Sequence, residues 1–244
     1  MLKENGKAHQ GQLFLKMDIQ HFFIEQGQGE PLILLHGNGE DHSYFVHQIA
    51  YFSKSYRVIA LDTRGHGKTP RGNAPFSIQQ FAKDLYYFME EHAINRANLL
   101  GFSDGGNIAL AFALEHPEKI LRLILNGANL NPKGVKPSVQ IPIVLGYHTA
   151  LLLAKKSPKA KRNAELLGLM VNEPNIAPCQ LKQITAKTLV IAGTRDMIKE
   201  KHTRQIFEHL PNAQLCLIPG NHFIAKENAE LFNKKVAGFL SENV

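Results

Sequence analysis

The sequence contains little cysteine, and it has neither an N-terminal signal pattern nor a long apolar run. Cys179 and Cys216 are the only two cysteines in 244 residues, and neither has the C-x-x-C spacing of a metal or redox site. Two cysteines are too few for a disulfide framework, so we expect a reducing compartment, the cytoplasm. The lack of a signal pattern and of about 18 consecutive apolar residues argues against secretion and against a membrane span.

Motifs for two kinds of binding partner are also missing. The basic residues are not interleaved with aromatic residues and form no nucleic-acid motif, so we do not expect a nucleic-acid partner. The glycine-rich turns GQGEP and HGNG lack the G-x-G-x-x-G arrangement between a strand and a helix, which argues against a dinucleotide site. The sequence leaves the oligomeric state open.

The residues that are present form a pattern typical of α/β proteins. With 44% hydrophobic and 20% charged residues, the chain can bury a large core. Short apolar runs alternate with amphipathic helical patterns, as in parallel sheets whose strands are joined by crossover helices. Strands are predicted at 21–26, 31–36, 56–62, 97–102, 121–127, 187–193 and 213–219. Helices are predicted at 43–53, 77–92, 105–116, 200–210 and 226–241, and residues 1–16 precede the first patterned segment.

The alternation is interrupted once, at residues 131–186. This stretch holds six of the 12 prolines and has helical patterns near 141–155 and 160–171. An insertion of this length in a compact domain is expected to carry its own structure or function. It contains eight Lys or Arg residues and two Glu residues, a net charge of +6 in a chain of net charge +7. Such a charge is typical of a solvated helix face, but it could also steer anionic substrates or rest on an anionic surface.

A serine framed by glycines follows the fourth predicted strand. Residues 101–105, GFSDG, match G-x-S-x-G at the point where a strand pattern ends and a helix pattern begins. On such a turn, small neighbours tolerate strain and the serine hydroxyl is held clear of the sheet, as a nucleophile requires. The helix N-terminus adds positive potential where an oxyanion would form. We therefore predict Ser103 as a nucleophile; the alternative is that it only caps the helix.

A serine nucleophile needs a histidine base and an acid that orients the base, and in this architecture they follow in the order serine, acid, histidine. Beyond the residue next to the serine, the only remaining aspartate is Asp196, in AGTRD directly after a predicted strand. His202 and His209 lie in a predicted helix, whereas His222 lies in PGNHF, after the last strand pattern. Loop position and order favour Asp196 and His222; the alternatives are a turn or cap role for the first and a structural role for the second.

An oxyanion intermediate also needs two backbone N–H donors. The turn HGNG ends a predicted strand and can expose such a group, so we assign Asn38 as one donor and Asp104, directly after the serine, as the other. The alternative for Asn38 is a tight turn without a catalytic role. The stretch DTRGHGKT is interpreted as a turn shaped by glycines, which leaves His66 as a minor candidate.

These motifs resemble those of a known family, the α/β-hydrolase superfamily. LLHGNG, ALDTRGHGKT, GFSDGG, AGTRD and PGNH stand in the order of that family, over about residues 20–130 and 187–242. The resemblance implies a mostly parallel central sheet flanked by helices, with Ser103, Asp196 and His222 as the catalytic triad.

The resemblance also implies a division of the chain. Residues 1–130 and 187–244 would form the hydrolase core, and residues 131–186 would form a small helical cap over the site. The stretch IPIVLGYHTALLLA in this cap would supply an apolar acyl pocket or pack between cap and sheet. The cap matches no family pattern that names a substrate.

The nucleophile separates the branches of the superfamily. Dehalogenase-like and epoxide-hydrolase-like members have an aspartate where this chain has Ser103, so the resemblance disfavours those reactions. A serine implies acyl transfer to water through an acyl-enzyme, without a metal or an organic cofactor. We therefore expect a serine hydrolase of small carboxylic esters. A thioesterase or carbon–carbon bond hydrolase would use the same triad, and a ligand-binding protein on this scaffold is a third alternative.

The carboxylate of Asp104 has two interpretations. In the first turn of a helix it would gain about 0.3 to 1 kcal/mol from the helix dipole. Alternatively it would contact substrate, because GFSDGG resembles the elbow of valacyclovir-hydrolase-like esterases, a branch that implies esters with an α-amino group near the scissile carbonyl. In that case Asp104 would favour cationic acyl groups.

Overall fold

This computed structural model describes residues 18–242. The strands within them form one mixed sheet. Its seven strands lie in the order β1-β3-β2-β4-β5-β6-β7, and only the β1–β3 pair is antiparallel. The strands are β1 Phe23–Gln26, β2 Pro31–Leu35, β3 Arg57–Leu61, β4 Ala97–Phe102, β5 Ile120–Asn126, β6 Lys187–Gly193 and β7 Ala213–Ile218. The predicted α/β class and mostly parallel sheet are confirmed. The segment at 1–16 lies outside the described residues.

The central strands are buried on both faces, which explains their continuous apolar sequence. All six residues of β4 are buried. In β2, Leu32 and Leu34 pack into the core on one face of the sheet, whereas Ile33 and Leu35 pack into the core on the other. Since helices cover both faces, alternation with polar residues is lost. The predicted strand ends differ from the observed ones by two residues at most.

Helices pack on both faces of the sheet. They are α1 Val46–Phe52, α2 Ile78–Glu91, α3 Asp104–Glu115, α4 Pro137–Ala154, α5 Pro158–Asn172, α6 Glu200–His209, α7 Ile224–Glu227 and α8 Ala229–Ser241. Side chains of α2, α3 and α6 join the core on one face, and side chains of α1, α7 and α8 join the core on the other. The helix predicted at 226–241 is divided at Asn228, and the pattern at 43–53 begins with the 3₁₀ turn His42–Phe45.

The inserted stretch forms a helical hairpin of α4 and α5. The two helices run antiparallel, because Gln140 near the start of α4 donates a hydrogen bond to the carbonyl of Met170 near the end of α5, 3.1 Å away. The hairpin contacts loops that follow β2 and β3, through the hydrogen bond from Asn38 Nδ2 to the Leu166 carbonyl, 2.7 Å, and the ion pair of Arg71 with Glu165, 2.8 Å. It therefore lies over the carboxyl edge of the sheet. Its division from the core at 131–186 stays a prediction.

The apolar sequence of α4 faces outward rather than into the protein. Ala150 is the one buried residue of this helix, and Leu145, Leu152 and Leu153 are 64%, 82% and 52% exposed. The expectation that this stretch forms an acyl pocket or packs on the sheet is therefore wrong for most of its side chains. Pro137–Ala154 is long and apolar enough to cross a membrane, with a mean hydropathy of 1.3 over 18 residues, although polar residues interrupt its apolar sequence.

Arg64 provides a test of the packing beneath the site. This side chain is 1% exposed, and it forms ion pairs of 2.7 Å with both Asp18 and Asp84. Replacing it leaves the Asp84 carboxylate buried without its partner, so we expect Arg64→Ala to lower the free energy of unfolding by about 3 to 5 kcal/mol in urea denaturation at neutral pH. The matched control is Arg57→Ala, whose pair with Glu25 is exposed, and its loss should stay below about 1 kcal/mol. Equal losses would contradict the interpretation.

Candidate active site

Ser103 occupies a sharp turn between β4 and α3. Its backbone has φ 54° and ψ −119°, a conformation that costs a non-glycine residue of the order of 1 to 3 kcal/mol. Hydrogen bonds hold it there, because Ser103 N donates to the Asn126 carbonyl at 2.8 Å and Asn107 N donates to the Ser103 carbonyl at 3.1 Å. The Ser103 hydroxyl caps no helix N–H group, so the helix-cap alternative is wrong for its side chain.

The glycines around Ser103 are required by close packing. A Cβ atom at Gly101 would lie 2.3 Å from the Gly105 carbonyl oxygen, and a Cβ atom at Gly105 would lie 2.0 Å from the Leu35 carbonyl oxygen. Any larger residue would therefore push α3 away from β2 and β4. The two glycines of the G-x-S-x-G pattern are therefore needed because this helix approaches the sheet so closely.

His222 and Asp196 form a buried pair at the ends of two neighbouring strands. His222 Nδ1 lies 2.7 Å from Asp196 Oδ1, and the two residues are 4% and 3% exposed. Asp196 Oδ1 also accepts a hydrogen bond from Ile198 N at 2.9 Å, which fixes the carboxylate. The other two histidines lie elsewhere: His202 Nε2 accepts a hydrogen bond from Leu130 N, and His209 bonds a carbonyl of its own helix.

The Ser103 turn and the histidine pair meet at the same edge of the sheet. The ring of Phe102, the residue before the serine, lies 4.8 Å from the His222 ring between centroids. A Cβ atom at Gly127, next to the residue that bonds Ser103 N, would come within 2.7 Å of His222 Cε1. His222 Nε2 is buried and has no hydrogen-bond partner within residues 18–242. His222 Nε2 is therefore free to accept a hydrogen bond beside the serine turn. In many enzymes the hydrogen bond between a nucleophile and its base becomes short only when substrate binds.

The two assigned oxyanion donors flank this turn. Among the described residues, neither the N–H group of Asn38 nor that of Asp104 donates to a protein acceptor. Asp104 begins α3, so its N–H group carries the partial positive charge of the helix N-terminus. The Asn38 side chain donates a hydrogen bond to the Leu166 carbonyl of the hairpin, and it also lies close enough to the Asp104 carboxyl group to lower the pKa of that group. Both groups fit the chemistry of an oxyanion hole.

The carboxyl group of Asp104 is buried, unlike that of an ordinary charge at a helix N-terminus. The residue is 8% exposed, its Oδ1 accepts a hydrogen bond from Asn107 Nδ2 at 3.1 Å, and its Oδ2 has no partner in the described chain. Burial raises its pKa from 3.8 to about 6, and the carboxylate of Glu173 at the end of the hairpin adds to the rise. An unpartnered buried acceptor next to the nucleophile is suited to a ligand that donates hydrogen bonds.

Glu40 is a site residue that the sequence interpretation missed. Its carboxyl group accepts a hydrogen bond of 3.3 Å from Gly37 N, in the turn that carries Asn38. Burial raises its pKa from 4.5 to about 7, although the Gly37 hydrogen bond and the charge of a protonated His222 act in the opposite direction. The signal was available, because an acid directly follows HGNG in the sequence.

Two further groups near the site have ordinary roles. Asp41, His42 and Asp62 bring three possible metal ligands within 4.8 Å of one another. However, Asp62 already accepts hydrogen bonds from the backbone and ring of His42 and from Lys68 N. His66 is buried, which lowers its pKa to about 4, and its Nδ1 lies 3.1 Å from Thr63 Oγ1. Nε2 of His66 is buried and has no hydrogen-bond partner among residues 18–242.

Comparisons with known proteins find relatives in sequence and in fold. A family model described as alpha/beta hydrolase fold matches residues 30–149. The chain is 30% identical to 2-hydroxy-6-oxo-6-phenylhexa-2,4-dienoate hydrolase of Burkholderia cepacia, over 89% of this chain and 90% of that protein. It is 38% identical to (E)-2-((N-methylformamido)methylene)succinate hydrolase of Acinetobacter baylyi, over 44% of this chain and 41% of that protein. The crystal structure of the enol-lactonase from Burkholderia xenovorans LB400 has the same fold, with a TM-score of 0.78 and 23% identity over 92% of this chain and 97% of that one.

The raised pKa of Asp104 predicts a pH-dependent stability. The buried carboxyl group resists ionisation, so the stability that it contributes is present below about pH 4 and is lost as the pH rises through about 6. We expect Asp104→Asn to gain roughly 2 to 3 kcal/mol relative to wild type between pH 4 and pH 8, in chemical denaturation at a series of pH values.

Asp41→Asn is a control of opposite sign. Hydrogen bonds from Ser43 lower the pKa of Asp41, so this carboxylate stabilises the fold above its ordinary pKa and loses that effect as the pH falls. The Asp41→Asn variant should therefore approach wild-type stability in acid. A difference between Asp104→Asn and wild type that does not change with pH would contradict the interpretation of Asp104.

Proposed function

The chain belongs to the alpha/beta hydrolase family and is a hydrolase, and from that premise we propose that it is a serine hydrolase that cleaves small carboxylic esters through an acyl-enzyme intermediate. The observation that carries the proposal is the strained Ser103 turn beside the buried His222–Asp196 pair, whose free Nε2 faces no other partner among residues 18–242. A serine, a base and an oriented acid form the minimal set for nucleophilic acyl transfer.

In the first half of the proposed reaction, Ser103 Oγ attacks the ester carbonyl carbon while His222 Nε2 takes the hydroxyl proton. Asp196 accepts the hydrogen bond from His222 Nδ1 and stabilises the imidazolium that forms. The N–H groups of Asn38 and Asp104 bind the oxyanion. When the tetrahedral intermediate collapses, His222 gives its proton to the leaving alcohol and the acyl group stays on Ser103.

In the second half, His222 takes a proton from water, and the resulting hydroxide attacks the acyl carbonyl. The same two N–H groups bind the second oxyanion, and collapse releases the acid as His222 returns the proton to Ser103. These steps call for no metal and no organic cofactor. The hairpin of α4 and α5 serves as the cap, because its contact with Asn38 joins it to the oxyanion turn.

The acidic groups of the site bear on the acyl part of the substrate. Asp104 Oδ2 and Asn38 Oδ1 are both buried acceptors that lack a donor within the described residues. Glu40 and Glu173 add two half-buried carboxyl groups. A primary amine near the scissile carbonyl would supply the missing donors, in line with the resemblance to valacyclovir-hydrolase-like esterases. We propose a preference for uncharged or cationic acyl groups, with amino-acid esters first.

Carbon–carbon bond hydrolysis is the second candidate. It is favoured by 30% identity with a dienoate hydrolase, because a compound of that name carries a ketone and a carboxylate but no ester. The same triad would serve. The acidic groups of Glu40, Asp104 and Glu173 count against it, since they would repel a substrate carboxylate.

The cytoplasmic location stays a prediction. Cys179 and Cys216 are both free thiols, as a reducing compartment would leave them.

Ser103→Ala tests the proposed nucleophile. With p-nitrophenyl esters from acetate to octanoate, we expect kcat/KM to fall by a factor of at least about 1,000, because no other group can form the acyl-enzyme. The control is Ser55→Ala, which changes an exposed serine between α1 and β3 and should keep wild-type rates. Retained activity in Ser103→Ala would refute the proposal.

A fluorophosphonate probe separates the alternatives. Labelling of wild type at Ser103 without turnover of any ester would favour carbon–carbon bond hydrolysis, which is then assayed directly on an oxo-dienoate. Absence of both labelling and turnover would favour a ligand-binding protein. Labelling together with ester turnover is the expected result.

Asp104→Asn tests the proposed acyl preference, because it removes the charge and keeps the backbone N–H group. We expect the ratio of kcat/KM for an amino-acid ester over a plain acyl ester of equal length to fall about ten-fold or more, the usual effect of removing one member of a buried charge pair. The control is Glu118→Gln, an exposed acid that precedes β5 at the opposite edge of the sheet, which should leave the ratio unchanged. Equal changes on both esters in Asp104→Asn would contradict a role in substrate selection.

A further inference from the structure

The outer face of α4 is an exposed apolar stripe on an otherwise well-packed protein. Ile141, Leu145 and Leu152 follow one another at helical spacing and are 59%, 64% and 82% exposed. Leu151 and Leu153 widen the stripe, with 44% and 52% exposure. Large apolar side chains exposed next to one another mark an interaction site more often than chance surface composition does.

The helix cannot turn this face inward. Its start is fixed by the backbone hydrogen bond from Lys136 N to the Met197 carbonyl, 2.9 Å, and by the bridge between Val135 and Ile198. Its inner face is occupied by α5, where a Cβ atom at Gly168 would already touch the Tyr147 ring at 3.3 Å. The apolar stripe is therefore held on the outside, and the helix lies flat along the surface.

The stripe ends in three exposed lysines, the basic cluster, which consists of Lys155, Lys156 and Lys159. None of the three forms an ion pair within residues 18–242. Lys155 and Lys156 directly follow the last residue of α4. Arg162 of the same hairpin faces the core instead, because its Nη2 donates a hydrogen bond to the Gly65 carbonyl at 3.3 Å.

Both acids of the hairpin bind to the core. Glu165 pairs with Arg71 of the core, and Glu173 accepts a hydrogen bond from Ile78 N at 2.6 Å. The outer surface of the hairpin is consequently apolar along α4 and positive at the end where α4 meets α5. An apolar face beside lysine and arginine side chains is the pattern of a helix that lies in a membrane interface.

We propose that the outer face of α4 and the basic cluster dock on the surface of an anionic lipid bilayer. The leucines would enter the boundary between headgroups and acyl chains, and the cations would contact lipid phosphates and carboxylates. An 18-residue helix gives a contact about 27 Å long. His148 and Thr149 lie within the stripe at helical spacing and are exposed, so the face suits the polar interface of a bilayer rather than its hydrocarbon core.

Charge argues against a second copy of the chain as the occupant. Two hairpins packed through this face with parallel helices would bring two basic clusters together. With antiparallel helices, each basic cluster would lie near the start of the partner's α4, where Lys133 is exposed and residues 131–140 contain no acid. Like charges across an interface cost several kcal/mol. The hairpin supplies no exposed acid to compensate them, because both of its glutamates bind to the core. An anionic lipid surface matches both parts of the face, because it offers acyl chains to the apolar stripe and negative charge to the basic cluster.

Co-sedimentation with vesicles tests the docking surface. We expect the protein to bind vesicles of phosphatidylcholine with about 30% phosphatidylserine and to be released by about 0.5 M salt, with weak binding to pure phosphatidylcholine. Leu145→Gln/Leu152→Gln should lower the partition coefficient about ten-fold or more. Lys155→Gln/Lys156→Gln/Lys159→Gln should lower it about 100-fold, since each lysine near such a surface contributes a factor of about five.

Matched controls change the same residue types on the α1–α8 side of the core. Val46→Gln/Tyr51→Gln replaces two exposed apolar residues, and Lys54→Gln/Lys234→Gln/Lys235→Gln removes three exposed lysines. Both should bind within about two-fold of wild type. Binding is measured in the Ser103→Ala background as well, so that lipid hydrolysis does not alter the vesicles.

Three results would overturn the proposal. One is failure of the wild type to bind anionic vesicles, and another is equal loss in the stripe variants and their controls. The third is a dimer in light scattering that Leu145→Gln/Leu152→Gln converts to a monomer, without vesicle binding, which would assign the face to a second copy. Circular dichroism should show unchanged folding in every variant, because all of the altered side chains are exposed.

Discussion

The close approach of α3 to the carboxyl ends of β2 and β4 is the constraint on which the site depends. Gly105 has no room for a Cβ atom against the Leu35 carbonyl, and the short connection forces Ser103 into a backbone conformation that serine rarely adopts. The packing of the surrounding core, in which β4 is buried along its whole length, offsets the free-energy cost of this conformation. Rigid packing beneath the turn thus holds Ser103 beside the His222–Asp196 pair.

Charge is distributed unevenly between the inside and the outside of the hairpin. The interior of the site holds Glu40, Asp104 and Glu173, and burial raises the pKa of each. The outer surface carries unpaired cations. A substrate that enters the site therefore meets acids, whereas a surface that touches the hairpin meets positive charge. The net charge of the chain, +7, says little about the substrate, because it counts exposed lysines of the hairpin surface, such as Lys155, Lys156 and Lys159, together with the groups that line the site.

The hairpin joins these two regions. Its inner side contacts Asn38 in the turn after β2 and Arg71 in the neighbouring loop, so a shift of the hairpin would also move the turn that carries Asn38, one of the two proposed oxyanion donors. Its outer side is free of protein contacts along α4 in the described chain. A hydrolase of small esters gains from such a placement if its substrates partition into lipid, since docking would hold the site next to them.

The sequence by itself determined the strands, the serine turn and the positions of Asp196 and His222. Strands buried on both faces must be apolar throughout, the glycines that a close-packed turn needs are local, and loops after parallel strands gather at one edge of the sheet. Only the tertiary structure decided that Asp104 is buried, that Glu40 belongs to the site, and that α4 faces outward. Pairing and burial depend on which distant segments pack together, and an apolar helix has the same sequence whether a protein core or nothing covers it.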